Sequence, residues 1–378
     1  MDSGNSIIDR ILTSKQTEAM EHLSPSETVS QLLKALTEKE ADVVRRRYGL
    51  NGLRRETLED IGKQYRVTRE RIRQIERLAI KKVVALKDFD VITRPTTTAV
   101  SQVLSSHGGF LEEQALLRTL LQIAGDTPEN CNAMLFLLHE LLGEHFDHID
   151  ANRRYHAGWR MRLSSMEQLD TLVNRLVAFF ENVGHPLAHD EFIHRFRGVE
   201  GQAAVSDDAL LAAVDVAIAL GHNPFGEYGL TEWGHIAPRR MNDKIFLVLK
   251  RAGEPLHFME IAKRINEAGF DDRKAYPPTV HNELILDPHY VLVGRGIYAL
   301  KEWGYEPGIV ADVLASVLRR AGRPLERDEL VEAVLKQRMV KRNTIHLALT
   351  DRERFSRHQN GTYTLTDRQT NATPPARH

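Results

Sequence analysis

The chain has 378 residues and one cysteine, Cys131, which rules out an internal disulfide framework and fits a reducing cytosol. It lacks a long apolar run. The segment LLAAVDVAIAL is too short to cross a bilayer and carries Asp215. No cationic start followed by an apolar stretch reads as a signal peptide, so a cytoplasmic protein with no membrane contact is expected. Motifs for chemistry are missing as well. There is no glycine-rich phosphate loop, nucleophile motif or paired acid and base, and neither an enzyme nor a cofactor is expected. Net charge is only −1, which selects no partner by itself, while a hydrophobic content of 42% is enough for two to five small domains with cores.

The distribution of charge says more than its total. Thr37 to Asp88 holds fifteen Lys and Arg against nine Asp and Glu, a balance of +6, whereas Met166 to Pro238 holds three against eleven, or −8. The first segment suits a polyanion and the second would be repelled by one.

Within the basic segment, TLEDIGKQYRVTRERIRQIERLAIKKV from Thr57 to Val83 contains two short helical patterns joined by a tight connection. Thr57 has the character of an N-cap for a first helix of about eight residues, with Leu58 and Ile61 on its apolar face and Gly62 allowing close approach. Tyr65-Arg66-Val67 cannot extend that period. Thr68 caps a second helix, on which Ile72, Ile75 and Ala79 face inward, and which is expected to run to about Leu86. The pattern is a helix-turn-helix. Arg69, Glu70, Arg73 and Gln74 then share the outward face near its start, and these are the side-chain types that base readout uses. Arg71, Arg77, Lys81 and Lys82 are better placed for phosphates. A solvated, salt-bridged surface helix would show the same residues.

A longer pattern favours the first reading. LTEKEADVVRRRYGLNGLRRETLEDIG precedes VTRERIRQIERLAIKKV, and from Leu36 to Val83 the chain closely resembles region 4 of the sigma-70 family of bacterial RNA polymerase initiation factors. In that family the second helix of the motif reads the promoter −35 element. The resemblance implies base contacts for Arg69, Glu70, Arg73 and Gln74, and phosphate contacts for Thr57, Thr68 and Arg71. It also implies double-stranded DNA and core RNA polymerase as partners, the latter through the tip of the beta flap. Nothing before Leu36 has the length or the aromatic, basic character of the family's clamp-binding and −10-melting regions, so a complete initiation factor is not expected. Two activities follow: a transcription factor reading −35-like DNA, or a polymerase-binding adaptor or sigma competitor acting mainly through protein contacts.

Around the motif, Ile7, Ile8, Ile11 and Leu12 predict a short amphipathic helix, and Val29, Leu32, Leu33 and Leu36 follow a cap at Ser24-Pro25-Ser26-Glu27. That second segment could pack on the helix-turn-helix or on a partner. Thr37 with Glu40 forms a capping box, and the helix through Val43, Val44 and Tyr48 should stop at Gly49. Thr93-Arg94-Pro95-Thr96-Thr97-Thr98 reads as the linker that ends this domain.

Beyond it the sequence repeats. GGFLEEQALL at Gly108, GHPLAHDEFI at Gly184, GEPLHFMEIA at Gly253 and GRPLERDELV at Gly322 are versions of one phrase. Three units close with a related ending: EYGLTEWG after Gly226, GIYALKEWG after Arg295 and GTYTLTD after Asn360. Tyr290 to Val293 and Ile297 to Leu300 predict two strands around a glycine turn. Helix, short strand, two helices and a hairpin make a winged helix. The phrase and its aromatic ending resemble the HARE-type helix-turn-helix domain, also found in the delta subunit of Gram-positive RNA polymerases, and the resemblance leaves both nucleic-acid and protein ligands open.

The expected fold is therefore mainly α: a region 4 helix-turn-helix followed by about four small winged-helix units with short hairpin wings. Residues 1–35 form an N-terminal helical segment and 36–92 the helix-turn-helix. Degraded and acidic winged units follow at 96–165 and 166–238, HARE-type units at 239–304 and 305–367, and a disordered tail at 368–378. The fourth unit with its tail counts thirteen basic against nine acidic residues, and Lys341, Arg342, Asn343, Thr344, His346 and Arg357 form a candidate second DNA site. The acidic unit is expected to bind protein or to act as a spacer.

Seventeen histidines raise the question of a metal. His185, His189 and His194, and His145 with His148, are the clustered ones, but Pro186 breaks the helical spacing and no cysteine pair or carboxylate triad accompanies them, so no metal site is expected. Tyr298 with Trp303 and Tyr228 with Trp233 are read as core aromatics rather than base-stacking platforms.

Overall fold

The computed structural model describes residues 23–200 and 205–366. The predicted helix at Ile7 to Leu12 and the predicted tail at 368–378 lie outside the described residues. Among the described residues the chain is mainly helical, with sixteen α-helices and small antiparallel sheets, and no helix is long and apolar enough to cross a membrane. It divides into two compact bodies at a hairpin: the described residues up to 221 with 228–231, and 222–227 with those from 232 onward.

The first body opens with α1 (Pro25–Leu33), α2 (Glu38–Tyr48), α3 (Leu58–Tyr65) and α4 (Arg69–Val84). Proline at the first turn starts α1, whose Val29, Leu32 and Leu33 are buried, so this apolar segment packs at home. The Thr37–Glu40 capping box starts α2, and Gly49 ends it in the left-handed region at φ 67°, as the sequence predicts.

The expected linker at Thr93 to Thr98 is not a linker. It lies inside α5 (Phe89–Ser106), with Thr93 and Thr96 buried. Threonine and proline favour loops because the hydroxyl competes for backbone groups and the ring removes a donor. Here the Thr93 and Thr97 hydroxyls donate to the carbonyls of Phe89 and Thr93 at 2.9 and 3.1 Å, within the helix itself. One core then joins α1, α2, α4 and α5 to the elements that follow, from Leu23 and Val44 through Val83 and Val103 to Phe136 and Trp159. The ring of Tyr48 lies 4.7 Å from that of Phe136, and the Asn132 amide donates to Gly49 O at 2.9 Å.

After α5 come β1 (Phe110–Glu112), α6 (Glu113–Ala124), α7 (Pro128–Phe136) with a π turn at Leu137–Leu141, β2 (Phe146–Ile149) and β3 (Gly158–Met161), in a sheet ordered β1-β3-β2. The same order recurs. It is seen in α8 (Met166–Val183), β4 (Leu187–Ala188), α9 (His189–Glu200), α10 (Asp207–Val216), β5 (Leu220–His222) and β6 (Glu227–Leu230), with sheet order β4-β6-β5.

The second body repeats it twice. First come α11 (Met241–Ala252), β7 (Leu256–His257), α12 (Phe258–Ala268), α13 (Pro277–Leu286), β8 (Tyr290–Gly294) and β9 (Ile297–Leu300), with sheet order β7-β9-β8. Then follow α14 (Val310–Ala321), α15 (Arg327–Leu335), α16 (Arg342–Ala348) and the hairpin β10 (Phe355–Arg357) and β11 (Tyr363–Leu365), with Leu325 bridged to Tyr363 in place of the short strand. Helix, strand or bridge, two helices and a hairpin thus occur four times. Tyr298 is buried in its module's core and Trp303 packs against that core, while Tyr228 stacks on Phe192 at 5.5 Å. Tyr290 supplies a tie the sequence reading did not assign: its hydroxyl donates to Asn242 O at 3.0 Å, fastening the hairpin to the first helix.

Candidate nucleic-acid interface

The helix-turn-helix is built by its caps. Thr57 Oγ1 accepts from Asp60 N at 3.2 Å and Thr68 Oγ1 from Arg71 N at 3.2 Å, which starts α3 and α4 where predicted; α4 ends at Val84 rather than Leu86. Between them Arg66 adopts φ 55°, and Val67 N donates back to Gly62 O at 2.9 Å, closing the turn. A left-handed non-glycine residue costs roughly 1–2 kcal/mol, so the surrounding contacts must hold it. They come from a small cluster, Val43, Ile61, Ile72 and Ile75, with Leu58, Tyr65 and Val67 packed against it.

Polar ties fix α2 to this pair. Asp42 accepts from Arg46 Nε at 2.7 Å and from the Tyr65 hydroxyl at 2.6 Å, and Arg46 also reaches Glu56 at 3.0 Å. Glu76 on α4 takes the Tyr48 hydroxyl at 2.9 Å and Arg47 at 3.3 Å. These contacts tie up Asp42 on α2 and draw Glu56 and Glu76 toward that helix, leaving cations to dominate the outer face of α4.

Burial alone would raise the Asp42 carboxyl, but the hydrogen bonds from Tyr65 and Arg46 bring it below the ordinary carboxylate value; Tyr65, desolvated and bonded to Asp42, is pushed up to about 12. A carboxyl depressed on folding contributes stability that is complete above its unfolded pKa, about 3.9, and is lost as pH falls through the lower folded value. Asp42→Asn is expected to cost about 1.5–3 kcal/mol at neutral pH, the range for hydrogen bonds to charged groups, and to flatten the acid limb of the melting-temperature profile. An unchanged acid limb would assign the loss elsewhere.

On the outer face Arg69, Glu70 and Gln74 are exposed and Arg73 is half-exposed. Arg73 grips Glu70 through two bonds of 2.9 and 2.7 Å, which holds the carboxyl below and the guanidinium above their ordinary values. Arg71 Nη1 donates to Gln74 Oε1 at 3.1 Å. Among the described residues Arg69, Arg77 and Lys81 have no ion-pair partner within 4 Å, whereas Lys82 is engaged by Glu40 at 2.5 Å. Thr57 and Thr68 are exposed, each at a helix start where backbone N–H groups can face a phosphate. The predicted base-reading and phosphate-holding residues therefore lie on α4 and at the N-caps of α3 and α4. The Lys82–Glu40 pair is the part the sequence did not disclose, since 42 residues separate the partners.

At the candidate second site, Lys341 precedes α16 and Arg342, Asn343 and Thr344 form its exposed first turn. His346 is half-buried, and Arg357 ends β10 with its guanidinium 6.0 Å over the Tyr363 ring. No hydrogen bond or ion pair among the described residues joins Arg357 to α16.

The clustered histidines of the sequence do not assemble. His185 Nδ1 lies 2.9 Å from Pro186 O, His189 Nδ1 lies 2.8 Å from Asp190, and His194 and His145 are exposed. A different group does come together: Glu113, His139 and His148. No spacing in the sequence brings these three residues to one place.

Residues 25–84 match the family described as Sigma-70, region 4, and so include α1, which the sequence reading set apart in 1–35. Over 57 residues the chain is 54% identical to RNA polymerase sigma factor SigA of Lactococcus lactis subsp. cremoris, covering 15% of this chain and 16% of that protein. Over 92 residues it is 41% identical to RNA polymerase sigma factor SigA of Listeria monocytogenes, covering 23% and 24%. It is also 44% identical over 66 residues to RNA polymerase sigma factor RpoD of Neisseria gonorrhoeae, covering 18% and 10%. Each match spans less than a quarter of the relative's length.

Proposed function

We propose that this chain is a DNA-binding transcription factor that works with bacterial RNA polymerase and reads −35-like promoter DNA through α3 and α4. The observation that carries the reading is the first two turns of α4. There Arg69, Glu70, Arg73 and Gln74 stand outward on a frame fixed by two hydroxyl caps and a buried isoleucine cluster. Arg73 binds first as a fork, and a guanine offering O6 and N7 accepts the same fork that Glu70 occupies in the free protein. Arg71, Arg77 and Lys81, with the N-termini at Thr57 and Thr68, hold the flanking phosphates, and Lys82 contributes only where Glu40 releases it. The four repeated modules are HARE-type winged helices, the first beginning within α5. The last, with Lys341, Arg342, Asn343, Thr344, His346 and Arg357, extends the DNA contact. The acidic module, with its balance of −8, favours a protein partner such as the polymerase.

Fluorescence anisotropy against a −35-like duplex and a shuffled duplex tests the reading. Wild type should prefer the first, and Arg73→Ala should lose about 1–3 kcal/mol of that discrimination. Arg77→Ala should weaken both duplexes alike and lower the salt slope by about one. Equal, weak binding of both duplexes by wild type and Arg73→Ala would remove base reading and leave a polymerase pull-down to test the adaptor role.

A further inference from the structure

At the edge of the first repeated module, three elements place a carboxylate and two imidazoles around one point. Glu113 is the first residue of α6, His139 lies in the π turn after α7, and His148 is on strand β2. His139 Nε2 and His148 Nε2 each lie 3.4 Å from Glu113 Oε2, and the three ligand atoms are all within 4.8 Å of one another. We propose that Glu113, His139 and His148 form a binding site for a zinc-type divalent cation, which clips the hairpin of this module to its second and third helices.

Four features support this assignment. The first is distance. Zinc bonds of about 2.0–2.2 Å in a tetrahedron separate neighbouring ligand atoms by roughly 3.3–3.5 Å, which is the separation of each imidazole nitrogen from the carboxylate, while N–H···O bonds cluster nearer 2.7–3.2 Å. The second is support behind a ligand: His148 Nδ1 lies 2.9 Å from Asp150 Oδ1, the arrangement that orients an imidazole toward a metal with its other nitrogen. The third is the wall. Both imidazoles pack edge-on against Trp159, at 4.7 and 4.8 Å, and Trp159 Nε1 donates to Glu113 Oε2 at 3.1 Å, which holds the carboxylate in place.

The fourth feature is the backbone. Leu142 N donates to Leu137 O at 2.9 Å, the wider spacing of a π turn, so that Leu137, Leu138, Leu141 and Leu142 are all buried while His139 stays exposed. Isolated π turns recur at functional positions because they re-aim one side chain. Three protein ligands, two of them partly open to solvent, leave a fourth position for water or an outside donor.

The test uses the full chain without a polyhistidine tag, stripped with chelator and titrated with Zn²⁺ in competition with a chromophoric chelator. One ion per chain should bind at micromolar affinity or tighter, and Co²⁺ should give the visible absorption of a four-coordinate site. His139→Gln and His148→Gln should each weaken binding by tenfold or more, whereas His145→Gln and His189→Gln should not. Asp150→Asn, at an exposed side chain that touches no ion, should weaken it by about tenfold through His148, which keeps the test informative if a ligand variant fails to fold. Zn²⁺ should raise the melting temperature of wild type but not of His148→Gln. Absence of a one-to-one complex, or equal binding by the His139, His148 and His145 variants, would overturn the site.

Discussion

Gly62→Val is expected to abolish discrimination between DNA sequences while leaving most of the helical content in place. A Cβ at this position would lie 2.8 Å from Val67 O and 3.5 Å from Arg69 N, both backbone atoms, so no side-chain rotation relieves the clash. Gly62 O is also the acceptor that closes the turn with Val67 N, and the added carbons of valine must push α4 away from α3 at that hydrogen bond. Overpacking of this kind costs about 1–3 kcal/mol and more where only backbone can yield. The cluster resisting it is four buried residues, separate from the larger core that holds Ala79 and Val83. The lower half of α4 should therefore stay docked while its first two turns, which carry Arg69 and Arg73, lose their position. Anisotropy should show loss of discrimination and far-UV dichroism only a small change. Gly198→Ala, where a Cβ meets nothing within 4 Å inside a helix, is the matched control and should be neutral or slightly stabilising. Gly62→Val with wild-type affinity and discrimination would show that the close approach of α3 and α4 does not position the reading face.

The elements of this fold that could be read from sequence are those written in local code. Thr57, Thr68, Thr37 with Glu40 and Gly49 act within three or four residues of themselves, and each marks a boundary where it was expected. The outward set on α4 was legible for the same reason, because Ile72, Ile75 and Ala79 fix which face is inside. The threonine run at Thr93 to Thr98 misled because its local preference is for loops. Burial of Thr93 and Thr96 outweighs that preference, and the Thr93 and Thr97 hydroxyls find acceptors one turn back. Arg66 at φ 55° could not be foreseen, since the left-handed region is normally signalled by glycine. Long-range pairs were beyond reach altogether. Nothing near Lys82 announces Glu40, and nothing in HFDHID announces Glu113 or His139.

Arg338 belongs to this last group, and its removal should have the largest effect on the second body. It lies in the basic stretch KQRMVKR, where a solvated cation would be the ordinary reading, yet it is 3% exposed. Its guanidinium donates to the carbonyl oxygens of Leu292, of Glu306 at 2.7 Å and of Gly308 at 2.6 Å, and burial pushes its pKa down from the ordinary value. Among the described residues it has no carboxylate within 4 Å, so the buried charge is compensated mainly by carbonyl dipoles. Beside it Met339 N donates to Val293 O at 2.8 Å, and a Cβ on Gly294 would lie 2.8 Å from Met339 O. These contacts join β8 of the third module to the chain that follows α15 in the fourth. Arg338→Met keeps the length and apolar stem but leaves three carbonyls without their donor, and hydrogen bonds to a charged group contribute about 1.5–3 kcal/mol each in favourable cases. The expected loss is about 3–5 kcal/mol, the range for breaking a buried charged network. Calorimetry should show the single transition of these two modules separating into two, with amides of β8 and of residues 338–340 losing exchange protection first. Arg338→Lys, which keeps the charge but not the fork, should fall between. A single, unshifted transition in Arg338→Met would mean that the modules cohere through their apolar contacts and that the arginine merely fills space between them.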